Sequence, residues 1–118
     1  MDKKNILLVE DTTDIVRILR YQFEKGNYLL TNVADANKAL EILAGQRFDL
    51  IILDMKIPLL QDGVNTFHQI REGFPEIPVV ILSIAADEPP VRDLNADAFI
   101  LKPFEFKKLQ EKIEELLK

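Results

Sequence analysis

A chain of 118 residues, 47% hydrophobic and 30% charged, has the size and composition of one folded domain and not of a disordered segment. It has no cysteine and a single histidine, His68, which excludes disulfide frameworks, Cys-based zinc sites and most histidine-built metal or catalytic centres. The net charge of -5 disfavours direct contact with nucleic acid, and no apolar run has membrane-spanning length, so a single soluble, cytoplasmic domain over 1–118 is expected.

Apolar runs and helical patterns alternate along the chain. "NILLV" (5–9) is continuous and ends in Glu10-Asp11. Ile15, Ile18, Leu19 and Phe23 then share a helix face, with Gly26-Asn27 as its stop. "YLLTNV" (28–33) mixes polar with apolar residues, which suits a sheet edge. Ala36, Ala39, Leu40 and Leu43 mark a second helix closed at Gly45. "FDLIIL" (48–53) runs into Asp54, and a third helix places Val64, Phe67, Ile70 and Phe74 on one side. "PVVIL" (78–82) stops at Ser83. The stretch "SIAADEPPVRD" (83–93) carries two adjacent prolines, so the helix there is expected to be short or distorted, with Pro90 opening it. "AFIL" (98–101) stops at Lys102. A last helix begins with Pro103 and gathers Phe106, Leu109, Ile113 and Leu116. His68 reads as a polar residue on a helix surface.

Continuous Ile-, Leu- and Val-rich runs suit strands covered on both faces. Five alternations of strand and helix predict a doubly wound α/β fold with right-handed crossovers, in which ligands bind beyond the carboxyl ends of the strands. Those ends carry Glu10, Asp11, Asp54, Ser83 and Lys102. Singly, each has a plain explanation: Asp11 as a helix cap, Ser83 as a turn residue, Lys102 as a solvated charge. Together they require a coincidence at four strand ends. Two carboxylates ~5 Å apart repel by roughly 3 kcal/mol at an effective dielectric of ~20. Lys102 offsets part of that, and a hard divalent cation such as Mg²⁺, which keeps most of its waters, offsets the rest. Such a set suits a carboxylate nucleophile receiving a phosphoryl group.

The pattern "LLVED…LIILDMKIP…DG…VVILS…AFILKPF" resembles the receiver domain of two-component response regulators over essentially the whole chain. Stand-alone receivers of the chemotaxis type and of the sporulation phosphorelay are similar in pattern. The resemblance implies a flavodoxin-like, five-stranded parallel sheet of order 2-1-3-4-5. It implies that Asp54 is the phosphoacceptor and, with Asp11, a Mg²⁺ ligand, that Glu10 is the acidic neighbour, and that the backbone carbonyl of Lys56 completes the metal shell. Lys102 is expected to pair with the phosphoryl group, and its bond to Pro103 to be cis. Ser83 is the switching hydroxyl, and Phe99 the aromatic that turns with it or simply packs in the core.

Three departures stand out. Three residues, "LLQ", separate Pro58 from Asp62-Gly63, one more than usual, with Gly63 expected in a turn before the third helix. Ile84 follows Ser83 where the family has Ala or Gly. The span from Ser83 to Lys102 is about three residues short, and Asn95 replaces a glycine, which predicts a left-handed backbone there.

The function expected is phosphoryl acceptance from a sensor histidine kinase or histidine phosphotransferase, with output to a downstream protein target by contact, as a monomer or weak dimer. In that role the domain catalyses its own phosphorylation and is a phosphotransferase only within a relay. The first helix, led by Ile15 and Ile18, is the expected grip for a helical histidine partner. The alternative is a phosphorylation-independent interaction module of the same fold. A metal-dependent phosphatase would need a second acid two positions after Asp54, and position 56 is Lys.

Overall fold

The computed structural model describes residues 3–55, 60–84 and 89–118. Strands β1 (Lys4–Val9), β2 (Tyr28–Val33), β3 (Leu50–Asp54), β4 (Val79–Ser83) and β5 (Ala98–Leu101) alternate with helices α1 (Thr13–Glu24), α2 (Ala36–Gly45), α3 (Leu60–Gly73), α4 (Pro89–Arg92) and α5 (Phe106–Leu116). The strands form one parallel sheet of order β2-β1-β3-β4-β5, the flavodoxin-like arrangement expected.

Burial explains the continuous apolar runs. Successive side chains of a strand point to opposite faces, and here both faces are covered. Ile6, Leu8, Leu50, Ile52, Val80 and Leu82 pack against Leu19 and Phe23 of α1 and Leu109 and Ile113 of α5. Leu7, Val9, Ile51, Leu53, Val79 and Ile81 pack against Ala39 and Leu43 of α2, Phe67 and Ile70 of α3, and Val91 of α4. The ring of Phe23 meets Tyr28 and Phe106 edge-on at 5.4 and 4.9 Å, closing the corner between α1, β2 and α5.

The fourth helix is short, as the prolines imply. It spans four residues and opens at Pro89, one residue before the expected start. Its Val91 is nonetheless fully buried. The segment after it is tied down from elsewhere. Arg71 Nη2 at the end of α3 donates to Asn95 O and to Asp97 Oδ2, both at 2.8 Å, and Asp97 Oδ2 also accepts from Val79 N at 2.8 Å. The Arg71 guanidinium lies 5.3 Å from the Phe67 ring centroid.

Four expectations are corrected. Asn95 is not left-handed, because no described non-glycine residue has positive φ. The chain instead leaves α4 through a Leu94 N to Val91 O bond, and Arg71 holds the Asn95 carbonyl. Gly63 lies inside α3 and not in a turn before it. The absence of a side chain there serves packing: a Cβ on Gly63 would come within 2.8 Å of Met55 Cγ. Pro103 precedes α5 by three positions, since Phe104 packs into the α1–α5 core before the helix starts from its N-cap, Glu105. Ile18 is 61% exposed, because Leu19 and Phe23 occupy the centre of the buried stripe of α1 and Ile18 overhangs its edge. His68 is exposed on α3.

Candidate functional site

Parallel register brings the strand ends together. Val9 lies opposite Leu53, Asp54 opposite Leu82, and Ser83 opposite Leu101. The ladder continues through Met55 N to Leu82 O at 2.8 Å and Lys102 N to Ser83 O at 3.0 Å. Glu10, Asp54, Ser83 and Lys102 therefore share one edge of the sheet. Glu10 and Ser83 are buried, and the Asp54 side chain is 0% exposed. Asp11 is exposed, one residue beyond Glu10.

Lys102 Nζ lies 2.5 Å from Asp54 Oδ1. Asp54 Oδ2, by contrast, is buried with no hydrogen-bond donor among the described residues. The Glu10 carboxyl is a neighbour of the Asp54 carboxyl, two acids side by side at the end of the sheet. Burial, and then Glu10, push the Asp54 carboxyl up from 3.8 to about 7, against the opposing pull of Lys102. Glu10 is itself held: its Oε1 accepts from Thr12 N at 2.8 Å, at the entry to α1. Thr12, not Asp11, is the N-cap residue of that helix.

The three acids Glu10, Asp11 and Asp54 line one side of a cavity of about 490 Å³ that continues between α2 and α3 past Asp62, Asn65 and Thr66. Among the described residues no three acidic or imidazole side chains close into an all-protein metal cage. Mg²⁺ does not need one, since it binds through one or two carboxylates and keeps its waters. A buried carboxylate oxygen lacking a donor, in an acidic cavity, fits a hard cation. Lys56, whose carbonyl is expected in the metal shell, lies outside the described residues, as do Pro58 and Leu59 of the lengthened stretch.

The Lys102–Pro103 peptide is cis, as expected. Phe99 is half-buried on β5, paired with Ile81, and packs on the α2–α3 side of the sheet. Ile84 is 56% exposed and lines, with Ile15, Ile18, Lys102 and Phe104, an apolar groove of about 480 Å³ that reaches Asp54. Two supporting residues gave no sign in the sequence. Met55, 1% exposed and next in the chain to Asp54, packs close against Gly63 of α3. Asn32 reaches from β2 to the carbonyl of Glu10. Neither contact has a periodic signature, although a glycine inside a helical pattern does mark a close approach.

The family profile described as "Response regulator receiver domain" matches residues 6–114. The alkaline phosphatase synthesis transcriptional regulatory protein PhoP of Bacillus subtilis is 31% identical over 119 residues, covering 98% of this chain and 49% of PhoP. The chain thus spans about half the length of the curated relatives it matches. Among solved structures, the receiver domain of sensor histidine kinase PA1611 from Pseudomonas aeruginosa, with magnesium coordinated in its active-site cleft, superposes with a TM-score of 0.85 at 28% identity, covering 98% of each chain. The response regulator TrrA of Thermotoga maritima, in complex with histidine kinase ThkA, superposes with a TM-score of 0.83 at 25% identity, covering 98% of this chain and 99% of TrrA. Among the described residues no helix is long and apolar enough to cross a membrane. With sheet order, strand-end acids and family profile in agreement, the chain belongs to the response-regulator receiver domains of two-component systems.

Proposed function

We propose that this receiver accepts a phosphoryl group on Asp54 from a phosphohistidine donor. A carboxylate oxygen of Asp54 attacks phosphorus, the bond to the donor imidazole breaks, and its electron pair returns to nitrogen, leaving an acyl phosphate on Asp54. The single observation that carries this is the asymmetry of Asp54: Oδ1 is held by Lys102, while buried Oδ2 has no donor among the described residues, in a carboxylate that lines the acidic cavity. Glu10, Asp11, Asp54 and the carbonyl of Lys56 would hold Mg²⁺, which supplies neutralising charge for the phosphoryl oxygens. Lys102 shifts its hydrogen bond from Asp54 to the phosphoryl group. Ser83, fully buried at the end of β4, turns its hydroxyl toward that group, and Phe99 follows into the space vacated. The domain catalyses its own phosphorylation and needs no separate enzyme beyond the donor.

The donor is a histidine kinase or a histidine phosphotransferase. The groove beside Asp54, walled by Ile15, Ile18, Ile84 and Phe104, offers apolar contact to a helical partner carrying the phosphohistidine. TrrA, of similar fold, is known bound to its kinase. Output passes by protein contact to a downstream target. The shortened α4 favours a second reading, an interaction module indifferent to phosphate; the buried Asp54–Lys102 pair argues against it, since such a module has no use for that arrangement.

Incubation with Mg²⁺ and labelled histidine kinases tests the proposal. Label is expected on the wild type and not on Asp54→Asn. A wild type that stays unlabelled with several autophosphorylated kinases overturns it.

A further inference from the structure

The position of Glu10 is set by a residue on a different strand. Asn32 sits on the edge strand β2, opposite Leu8 of β1. Its side-chain nitrogen donates to three backbone carbonyls: Leu8 O at 3.0 Å, Glu10 O at 2.9 Å and Val33 O at 3.2 Å. Three acceptors around one atom fix which end of the amide carries the hydrogens. Two hydrogens serve the three carbonyls, so one of them is shared.

This bond does what no backbone group of β2 does. The β1–β2 ladder runs one residue past β1, where Glu10 N donates to Val33 O at 2.9 Å. Beyond that point β1 has ended and the Glu10 carbonyl turns away toward Asp11 and α1. The Asn32 amide adds one more rung and catches that carbonyl. Glu10 is then fixed twice, at its carbonyl by Asn32 and at its carboxylate by Thr12 N at 2.8 Å. Asp11 follows directly on a backbone whose preceding carbonyl is held.

We infer that Asn32 is a positioning residue for the Glu10–Asp11 acid pair, setting where those carboxylates stand relative to Asp54. The inference rests on the proposed Mg²⁺ site for its functional consequence, but the geometry is independent of any ligand. Leu30 lies two residues before Asn32 on the same face of β2, and it is buried against the core without touching the site. It provides the control.

The experiment compares wild type, Asn32→Ala, Asn32→Thr and Leu30→Ala by two measurements. Calorimetric titration with MgCl₂ should show about tenfold weaker binding for Asn32→Ala, as for removal of residues that orient metal ligands. Asn32→Thr, which keeps strand propensity and one donor, should fall between, and Leu30→Ala should stay within about twofold of wild type despite its lower stability. Amide hydrogen exchange on the metal-free proteins should show the Glu10 and Thr12 amides losing protection in both Asn32 variants, beyond the general loss seen in Leu30→Ala. Unchanged Mg²⁺ affinity in Asn32→Ala and Asn32→Thr, or an equal loss in Leu30→Ala, overturns the inference. If wild type itself binds no Mg²⁺, the proposed metal site fails, and the exchange data alone decide whether Asn32 holds the Glu10 turn.

Discussion

Lys102 Nζ and Asp54 Oδ1 are 2.5 Å apart, but the lysine side chain is 20% exposed and the aspartate is wholly buried. The cation therefore keeps part of its hydration while the anion depends on it. Lys102→Met keeps the length and removes the charge, and the folded protein answers by holding the Asp54 proton to higher pH. The metal-free variant should be less stable than wild type by about 1–3 kcal/mol near pH 8, with the gap closing below about pH 6 as Asp54 becomes neutral. Urea unfolding at the two pH values checks this; an equal gap at both contradicts it.

The wild type carries its own pH signature. Asp54 titrates near 3.8 when unfolded and near about 7 when folded without metal, raised by burial and by Glu10. Between those values the folded state holds a proton that the unfolded chain has released, so stability is full at low pH and is lost as pH rises through about 7. Mg²⁺ must displace the same proton. The rise in Tm on adding Mg²⁺ should therefore be small at about pH 5.5 and grow through pH 7 to 8, and a pH-independent rise would contradict the assignment.

Glu10→Gln should separate stability from metal binding. Its Oε1 can still accept from Thr12 N, while the new amide donates to Asp54 Oδ2, an acceptor without a donor among the described residues. The metal-free variant is expected to gain about 1–2 kcal/mol near pH 8 and to bind Mg²⁺ more weakly. Thermal melts with and without the ion give both numbers, and a less stable metal-free variant sinks the argument.

Gly63→Ala tests the contact between α3 and the residue next to Asp54. Helix propensity alone favours alanine by ~1 kcal/mol. Its Cβ, however, meets Met55 Cγ and Cβ at 2.8 and 3.2 Å, near the root of that side chain, where it cannot swing clear. Overpacking of this kind costs ~1–3 kcal/mol, so a net loss with slower labelling of Asp54 is expected. Met55→Ala in the same chain should restore part of the labelling rate. A stabilised Gly63→Ala would show that the contact relaxes freely.

Ile84 stands at the mouth of the apolar groove beside Asp54 and Lys102. Being 56% exposed, it should be removable with a stability change within about 0.5 kcal/mol. Ile84→Ala is expected to speed phosphorylation by small donors and to shorten the life of the acyl phosphate, by opening the approach for water. Loss of label followed over time measures it, and an unchanged or longer lifetime removes Ile84 from the account.

The sequence made the sheet legible because continuous apolar runs ended abruptly in polar residues: Val9 before Glu10, Leu53 before Asp54, Leu82 before Ser83, Leu101 before Lys102. Two-sided burial produces that signature, and the parallel fold carries the endings to one edge. The supports of the site were not legible. Asn32 and the Glu10 carbonyl are 22 positions apart, and Arg71 and Asp97 are 26 apart. Side-chain bonds to distant backbone leave no periodicity to read. Gly63 was read as a turn residue, and only the position of Met55 shows that the glycine serves a close approach inside α3. Asn95 misled for a related reason: the residue type fits a left-handed turn, but a carbonyl held by Arg71 makes one unnecessary.

The Arg71–Asp97 knot also bears on what the outer surface of α4 can tolerate. Asp97 joins α3 to the first residue of β4 through one carboxylate oxygen, at the threshold of β5. The last strand is thus anchored by the body of the domain in addition to the short helix that leads into it. Val91 still fills the core, but the exposed residues of α4, Pro90 and Arg92, can be exchanged without touching the tie that holds β5. The outer side of the fourth helix is in this sense a replaceable facing: new recognition can be tried there by design while the chemistry at the sheet edge stays where it is.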